Sequence, residues 1–166
     1  FASMMKQLHY EASQGNRADV RYTLIHGNRG YQELGYHDEL VAIEAAEKFD
    51  FVYLPTISRP SKDGQDPLTV GKGRANNVLR YIVGMPTKEE EDVERKRSNG
   101  VGLSQAKTLL ERVVLPVLPH HISRESIRER IQAGNTIIIT CGNPEGMADI
   151  KHVADVQGIH FDMEEW

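Results

Sequence analysis

Segments with strand character alternate with helical patterns along almost the whole chain, and this alternation restricts the fold more than any other feature. Val20–Ile25 (VRYTLI) and Phe51–Ile57 (FVYLPTI) are rich in β-branched and aromatic residues, the types that fit a pleated, half-buried surface. Thr136–Thr140 (TIIIT) is nearly continuous apolar, the pattern of a strand covered on both faces. Ile159–Met163 (IHFDM) alternates more weakly near the end of the chain. Helical patterns run over Ala2–Ser13, Leu34–Lys48, Arg74–Val83, Ser123–Ala133 and Pro144–Gln157. Strand then helix, repeated, predicts an α/β domain with a mainly parallel sheet, because parallel neighbours need a crossover long enough to hold a helix.

The 166 residues suffice for one such domain with its own core, since a chain of about 150 residues buries roughly 68–70% of the surface it exposes when unfolded. Twenty basic residues against 24 acidic ones leave a net charge of -4, which argues against a nucleic-acid partner held by bulk charge. A local basic pocket stays open. The single cysteine excludes an internal disulfide framework and a zinc site built from several thiolates. No apolar run reaches the roughly 18 residues of a membrane span and no signal peptide precedes the first helix, so no membrane partner is expected and the expected setting is cytoplasmic. Beginning on Phe1 rather than methionine, the chain is expected to be an excised or incomplete piece.

Residues 87–122 break the rhythm. KEEEDVERKR is followed by the Gly/Ser break SNGVG. Glu91 and Arg95, like Asp92 and Lys96, stand at i,i+4 spacing with the acid first, which predicts a solvated helix. Pro116 and Pro119 then interrupt the chain before Ser123, which is placed to cap the next helix. The stretch is expected to be a charged helical insertion in one domain, not a second domain.

Three segments could carry chemistry, and each falls where a strand ends and a helix begins. In open parallel sheets ligands gather at the carboxyl ends of strands, where helix N-termini present free N–H groups. Cys141-Gly142-Asn143-Pro144 follows the TIIIT strand; Gly142 permits close backbone approach and Pro144 suits a first helical position. Cys141 there is either a small buried hydrophobe or a group beside a ligand. Ser58-Arg59 closes FVYLPTI, and Gly71-Lys72-Gly73-Arg74 opens the next helix. Arg59, Lys72, Arg74 and Ser58 would suit a phosphomonoester, or they are ordinary surface charge; the spacing is not that of a P-loop. His26-Gly27-Asn28-Arg29 ends the first strand, with Arg29 directed to the same edge and His26 expected to be a hydrogen-bonded structural residue. Neither His120-His121 nor any other spacing indicates a metal site.

Phe1-Ala2-Ser3-Met4 is similar to the end of a G-T-G-x-A-P-F-x-S-M segment, His26 to Arg29 to an H-G-x-R turn, and Glu33 to Leu40 (ELGYHDEL) to an acidic-aromatic helix. Ser58-Arg59 matches S-R-E with Pro60 in place of the glutamate; Gly73-Arg74 matches G-R, Cys141 to Pro144 matches C-G-N-P, and Glu164-Glu165-Trp166 is similar to a terminal acid plus aromatic. In this order, and over nearly the whole chain outside the charged insertion, the segments resemble the C-terminal NADP(H)-binding domain of the ferredoxin–NADP reductase family.

The resemblance implies a doubly wound, Rossmann-like parallel sheet with flanking helices, its first strand missing from these residues, so that the two halves of the sheet keep bare edges. It implies hydride exchange between NADP(H) and FAD, with FAD held by an upstream domain that is not in this chain and electrons passed to or from ferredoxin or a similar carrier. Cys141 would lie beside the nicotinamide, Glu164 would be a proton or orientation partner, and Trp166 would stack near the flavin. Arg29, Ser58, Arg59, Lys72, Arg74, Gly142, Asn143 and Pro144 would bind the dinucleotide. Preference for NADP over NAD is expected from Ser58, Arg59, Lys72 and Arg74, once the turn-rich loop Pro60–Val70 folds back to bring the basic pairs together; Asp63 and Asp66 in that loop weigh against it. The fragment alone is expected to be inactive. The alternative is a nucleotide-binding module of regulatory or structural role that catalyses nothing.

Overall fold

The computed structural model describes residues 1–98, 110–111 and 113–163. It is an α/β structure with two separate parallel sheets. The larger is made of β1 (Tyr22–Asn28), β2 (Phe51–Ile57) and the short β3 (Gly71–Lys72), in that order; the smaller pairs β4 (Ile137–Thr140) with β5 (His160–Met163). The helices are α1 (Ala2–Ser13), α2 (His37–Ala45), α3 (Ala75–Val83), α4 (Lys88–Ser98), α5 (Arg124–Arg128) and α6 (Pro144–Gln157). No described helix is long and apolar enough to cross a membrane. The described residues thus form two half-sheets with the bare edges expected where a first strand is missing: among them, nothing pairs with the outer edge of β1 or with the edge of β4 away from β5.

Strand alternation sorts the core into two faces. Tyr22 and Leu24 of β1 join Phe51 and Tyr53 of β2 against Met5 of α1 and Leu40 and Ile43 of α2. Ile25, Val52 and Leu54 point the other way, onto Val78, Leu79 and Ile82 of α3, Ile127 of α5 and Val153 of α6. The larger sheet therefore carries α1 and α2 on one face and α3 and α5 on the other, with α6 packed on α3 and on the smaller sheet.

Most elements keep the limits their patterns predict, and the departures have local causes. β1 begins at Tyr22, whose N–H bonds the Asp50 carbonyl at 2.8 Å, and runs on through His26-Gly27-Asn28, which pair with Pro55–Ile57. β2 tolerates Pro55 because its outer edge is open there: the Tyr53 N–H is taken by the Glu44 carboxylate at 2.8 Å, and Pro55 has no N–H to satisfy. The helix expected from Leu34 starts at His37, because a 3-10 turn (Tyr31–Glu33) and a left-handed Tyr36 (φ 60°) precede it. Ser123 caps α5 as its position predicts, accepting from the Ser126 N–H at 3.1 Å. That helix stops at Arg128, and Arg130 turns away to bond the Tyr22 carbonyl at 3.0 Å and Asp50 at 2.7 Å.

The charged stretch is less solvated than its composition suggests. In α4, Glu91 binds Arg80 at 2.7 Å and Glu89 accepts from Asn77 at 2.7 Å, so one face docks on α3. Asp92 pairs with Lys88 and Arg95, not with Lys96. Further on, Val117 and Lys72 exchange backbone hydrogen bonds of 3.0 and 2.8 Å, closing the outer edge of β3. Of the SNGVG break, Ser98 ends α4 and residues 99–102 lie outside the described residues.

What couples the two sheets is a buried ion pair. Arg80 of α3, fully buried, forks onto Asp149 of α6 through Nε at 2.9 Å and Nη2 at 2.6 Å, and Asn76 donates to the same carboxylate at 2.8 Å. Arg80 also reaches Glu91 and the Pro86 carbonyl, so one guanidinium ties α3, α4 and α6. Burial alone would raise the Asp149 pKa; the hydrogen bonds and charge of Arg80, with Asn76, outweigh it and hold the carboxyl below its ordinary value. Removing one partner strands a buried charge, at a cost of about 3–5 kcal/mol. Urea denaturation is expected to register a loss of that size for Arg80→Met and less than about 1 kcal/mol for Lys151→Met, whose partner Asp155 is exposed. Equal losses would mean that the buried pair does not hold the sheets together.

Candidate functional site

The carboxyl ends of β1, β2 and β4 open into one large cavity of about 1660 Å³. Its lining includes Arg29, Ser58, Arg59, Arg74, Cys141, Gly142 and Asn143, so the fold assembles seven of the candidate residues in one place. Lys72 is exposed on β3 and Pro144 is the first residue of α6; neither lines the cavity. Glu164 and Trp166 lie outside the described residues.

Backbone pairing beyond the strands sets the arginines side by side. The Ser58 N–H bonds the Asn28 carbonyl at 2.9 Å and the Arg59 N–H bonds the Arg29 carbonyl at 2.7 Å, extending the β1–β2 ladder by two residues. Asn28 stiffens this end: its side chain accepts from the Arg29 N–H at 2.9 Å and donates to the Glu33 carbonyl. On the other side Gly73, at φ 110°, donates to the Ile57 carbonyl at 2.9 Å while Thr56 Oγ1 bonds the Gly73 carbonyl at 2.8 Å. The two bonds deliver Arg74 to the N-cap of α3, one strand away from Arg59. The loop does fold back as its turn formers predict, and Asp66 is spent inside it, bonding the Ser61 backbone and hydroxyl.

Three guanidiniums thus stand at one edge of the sheet. Among the described residues, Arg29 and Arg59 have no acidic partner, and Arg74 has only a 3.5 Å contact with Glu89. Arg74 provides no side-chain cap to α3, so the first N–H groups of that helix face the cavity unsatisfied by any cap. Gly27 makes the close approach possible: a Cβ there would lie 2.9 Å from the Ala75 Cβ, pushing the start of α3 away from β1. Cation forks and helix N–H groups together favour an anion, and the set fits a ligand that carries phosphate.

The β4 side offers less free hydrogen bonding. Asn143 is the N-cap of α6, its side-chain oxygen accepting from Glu145 N–H at 2.8 Å and Gly146 N–H at 3.3 Å. Its carboxamide oxygen is therefore committed to the helix. Gly142 takes φ 130°, a conformation suited to glycine. Cys141 is exposed at the cavity wall, which removes the buried-hydrophobe alternative.

His26 is hydrogen-bonded, as its position suggests, but the partners it meets went unmarked in the sequence. The buried Tyr53 hydroxyl lies 3.0 Å from His26 Nδ1 and 3.1 Å from His37 Nδ1, joining β1, β2 and α2. Two histidines ten or more residues apart give no local signal; only the β1–β2 register makes them neighbours of one phenol. Burial first, then the charges of His37 and of the Phe1 amino group, push the His26 pKa below 6.5. The unfolded chain then binds the proton more readily, so His26 contributes stability that is present above about pH 6.5 and is lost as the pH falls. Urea titrations at pH 7.5 and 5.0 are expected to show a larger acid loss in the wild type than in His26→Gln; equal losses would contradict this. No family model, curated protein or solved structure matches the chain, so its functional reading rests on its own residues and their placement.

Proposed function

We propose that the chain is the pyridine-nucleotide-binding half of a flavin-dependent oxidoreductase, similar to the ferredoxin–NADP reductases, and that it prefers NADP(H). The supporting observation is the convergence of Arg29, Arg59 and Arg74 with the uncapped start of α3 at one edge of the larger sheet. These residues would hold the phosphates. Ser58, whose hydroxyl donates to the Asn28 carbonyl at 3.3 Å, keeps lone pairs that could accept from a sugar hydroxyl. Lys72, exposed on the neighbouring strand, adds positive potential.

NADP(H) bound here would supply a hydride at its nicotinamide, and FAD on a separate domain would be the other redox partner, with ferredoxin or a similar carrier beyond it. The chain's own task is to bind and orient. Across the cavity, Cys141 and Gly142 offer an exposed thiol and an approachable backbone for the nicotinamide end. Glu164 and Trp166 enter this reading through the sequence resemblance alone.

Arginine forks select for the extra phosphate only if they touch it. Each charge-assisted bond contributes about 1.5–3 kcal/mol, or roughly 10- to 150-fold in affinity. In calorimetric titrations, Arg59→Ala and Arg74→Ala are expected to raise the dissociation constant for NADP by that factor and leave that for NAD nearly unchanged. Equal loss for both cofactors would assign the arginines to the shared pyrophosphate. No binding of either cofactor to the wild type would remove the proposal.

A further inference from the structure

Among the described residues, Arg74 is the one arginine of the ligand edge with an acid beside it, and that acid is fixed by groups other than Arg74. Glu89 stands in the first turn of α4, its Oε1 3.5 Å from Arg74 Nη1. The second oxygen, Oε2, accepts from Asn77 Nδ2 at 2.7 Å. Asn77 is buried on α3, three residues after Arg74, and its own side-chain oxygen accepts from the Lys88 N–H at 2.9 Å. Both ends of this carboxamide are thus committed to the start of α4.

The neighbours of Glu89 are pinned as firmly. Thr87 and Glu90 close a capping box: the Thr87 N–H and hydroxyl donate to Glu90 at 2.7 and 2.8 Å, and the Glu90 N–H donates to the Thr87 hydroxyl oxygen at 3.3 Å. Arg80 takes the Pro86 carbonyl at 3.0 Å on one side and Glu91 at 2.7 Å on the other. The Glu89 side chain is accordingly 23% exposed, that of Arg74 65%. The carboxylate is the fixed member of the pair, and the guanidinium has room to move. Lys88, Glu89 and Asp92 form the wall that α4 gives to the cavity. Of its two carboxylates, Asp92 is taken by Lys88 at 2.7 Å and Arg95 at 2.9 Å, whereas Glu89 keeps Oε1 clear of any hydrogen bond among the described residues. At 3.5 Å the contact with Arg74 is longer than the 2.7–2.9 Å of a charge-assisted hydrogen bond, so it attracts without locking.

We propose that Glu89 is a built-in competitor for the phosphate at Arg74 and thereby limits how strongly this edge favours NADP over NAD. Before a ligand enters, the carboxylate draws the guanidinium toward α4. An entering phosphate displaces Oε1 from Arg74, while Asn77 keeps the carboxylate at the wall, where it repels the newcomer. A phosphomonoester carries a charge of about −1.5 to −2 near neutral pH, so it meets more of this repulsion than a singly charged phosphate. The phosphate that distinguishes NADP is such a monoester; the pyrophosphate shared with NAD carries one charge on each phosphorus. The role given to Glu89 rests on Arg74 being a phosphate ligand, as in the proposed function.

Calorimetric titration of the full chain with NADP, NAD and inorganic pyrophosphate tests it. Glu89→Gln keeps an oxygen for Asn77 and removes the charge. It is expected to tighten NADP by about three- to fivefold, the size of a partly exposed ion pair, and NAD by less, so that the preference widens. With Arg74→Ala in the background the same change should gain less than about twofold, since one partner of the pair is then gone. Glu94→Gln removes an equal charge from α4 away from the cavity and should change neither Kd. Unchanged NADP affinity in Glu89→Gln would make Glu89 a residue that only docks α4 on α3, and an undiminished gain without Arg74 would show that the pair is not the cause. Either result overturns the competitor while the nucleotide reading stands. An equal gain for NADP and NAD would overturn its part in cofactor choice. Were neither cofactor to bind, the nucleotide reading would fall, and pyrophosphate would decide the competitor: the same gain in Glu89→Gln supports it, and no gain overturns it.

Discussion

The buried contact between Arg80 and Asp149 is the interaction on which the arrangement depends. The two sheets share no strand pairing among the described residues, so their relative position is left to the helices. Those helices meet chiefly where α3 packs on α6, and the guanidinium fork is the directional part of that contact. Apolar packing around Val78, Ile82 and Val153 supplies non-directional attraction. The fork fixes register, because a buried charge off its partner is costly. Through Asn76 in the first turn of α3, the same carboxylate sets the start of the helix whose N-cap is Arg74. A structural ion pair in the core thereby governs the geometry of the ligand edge.

The elements were legible where local pattern and tertiary packing agree. FVYLPTI is a strand in both readings because its residues suit a sheet covered on two faces, and PEGMADIKHVADVQ has a capping Asn, an N1 proline and a terminal glycine at Gly158. The short β3 was not legible, since two residues carry no period; it exists because the loop after β2 returns and Val117 closes its other edge. Arg80 was readable in principle, as the one charge on the otherwise apolar and amidic run ANNVLRYIV, where a charge on a buried face demands a partner. Its partner, 69 residues away, was not.

At the site, residue type and position at strand ends sufficed to gather Arg29, Ser58, Arg59, Arg74, Cys141 and Gly142, because in a parallel sheet every strand delivers its carboxyl end to the same edge. Asn143 also lines the cavity, with its side-chain oxygen serving the helix it precedes. The same reading could not find the Tyr53 cluster, which depends on register between strands rather than on spacing within one. The bare edges of β1 and β4, in contrast, were expected from the sequence resemblance, which implies a missing first strand.

The account holds that two unjoined half-sheets present a single ligand edge. Titrating isotopically labelled protein with NADP and following backbone amide shifts tests this most directly. The account predicts shifts at Asn28–Arg29, Ser58–Arg59 and Arg74–Asn76 on one half and at Cys141–Gly142 on the other, all saturating with one dissociation constant. Shifts confined to one half, or two sets with separate constants, would contradict it.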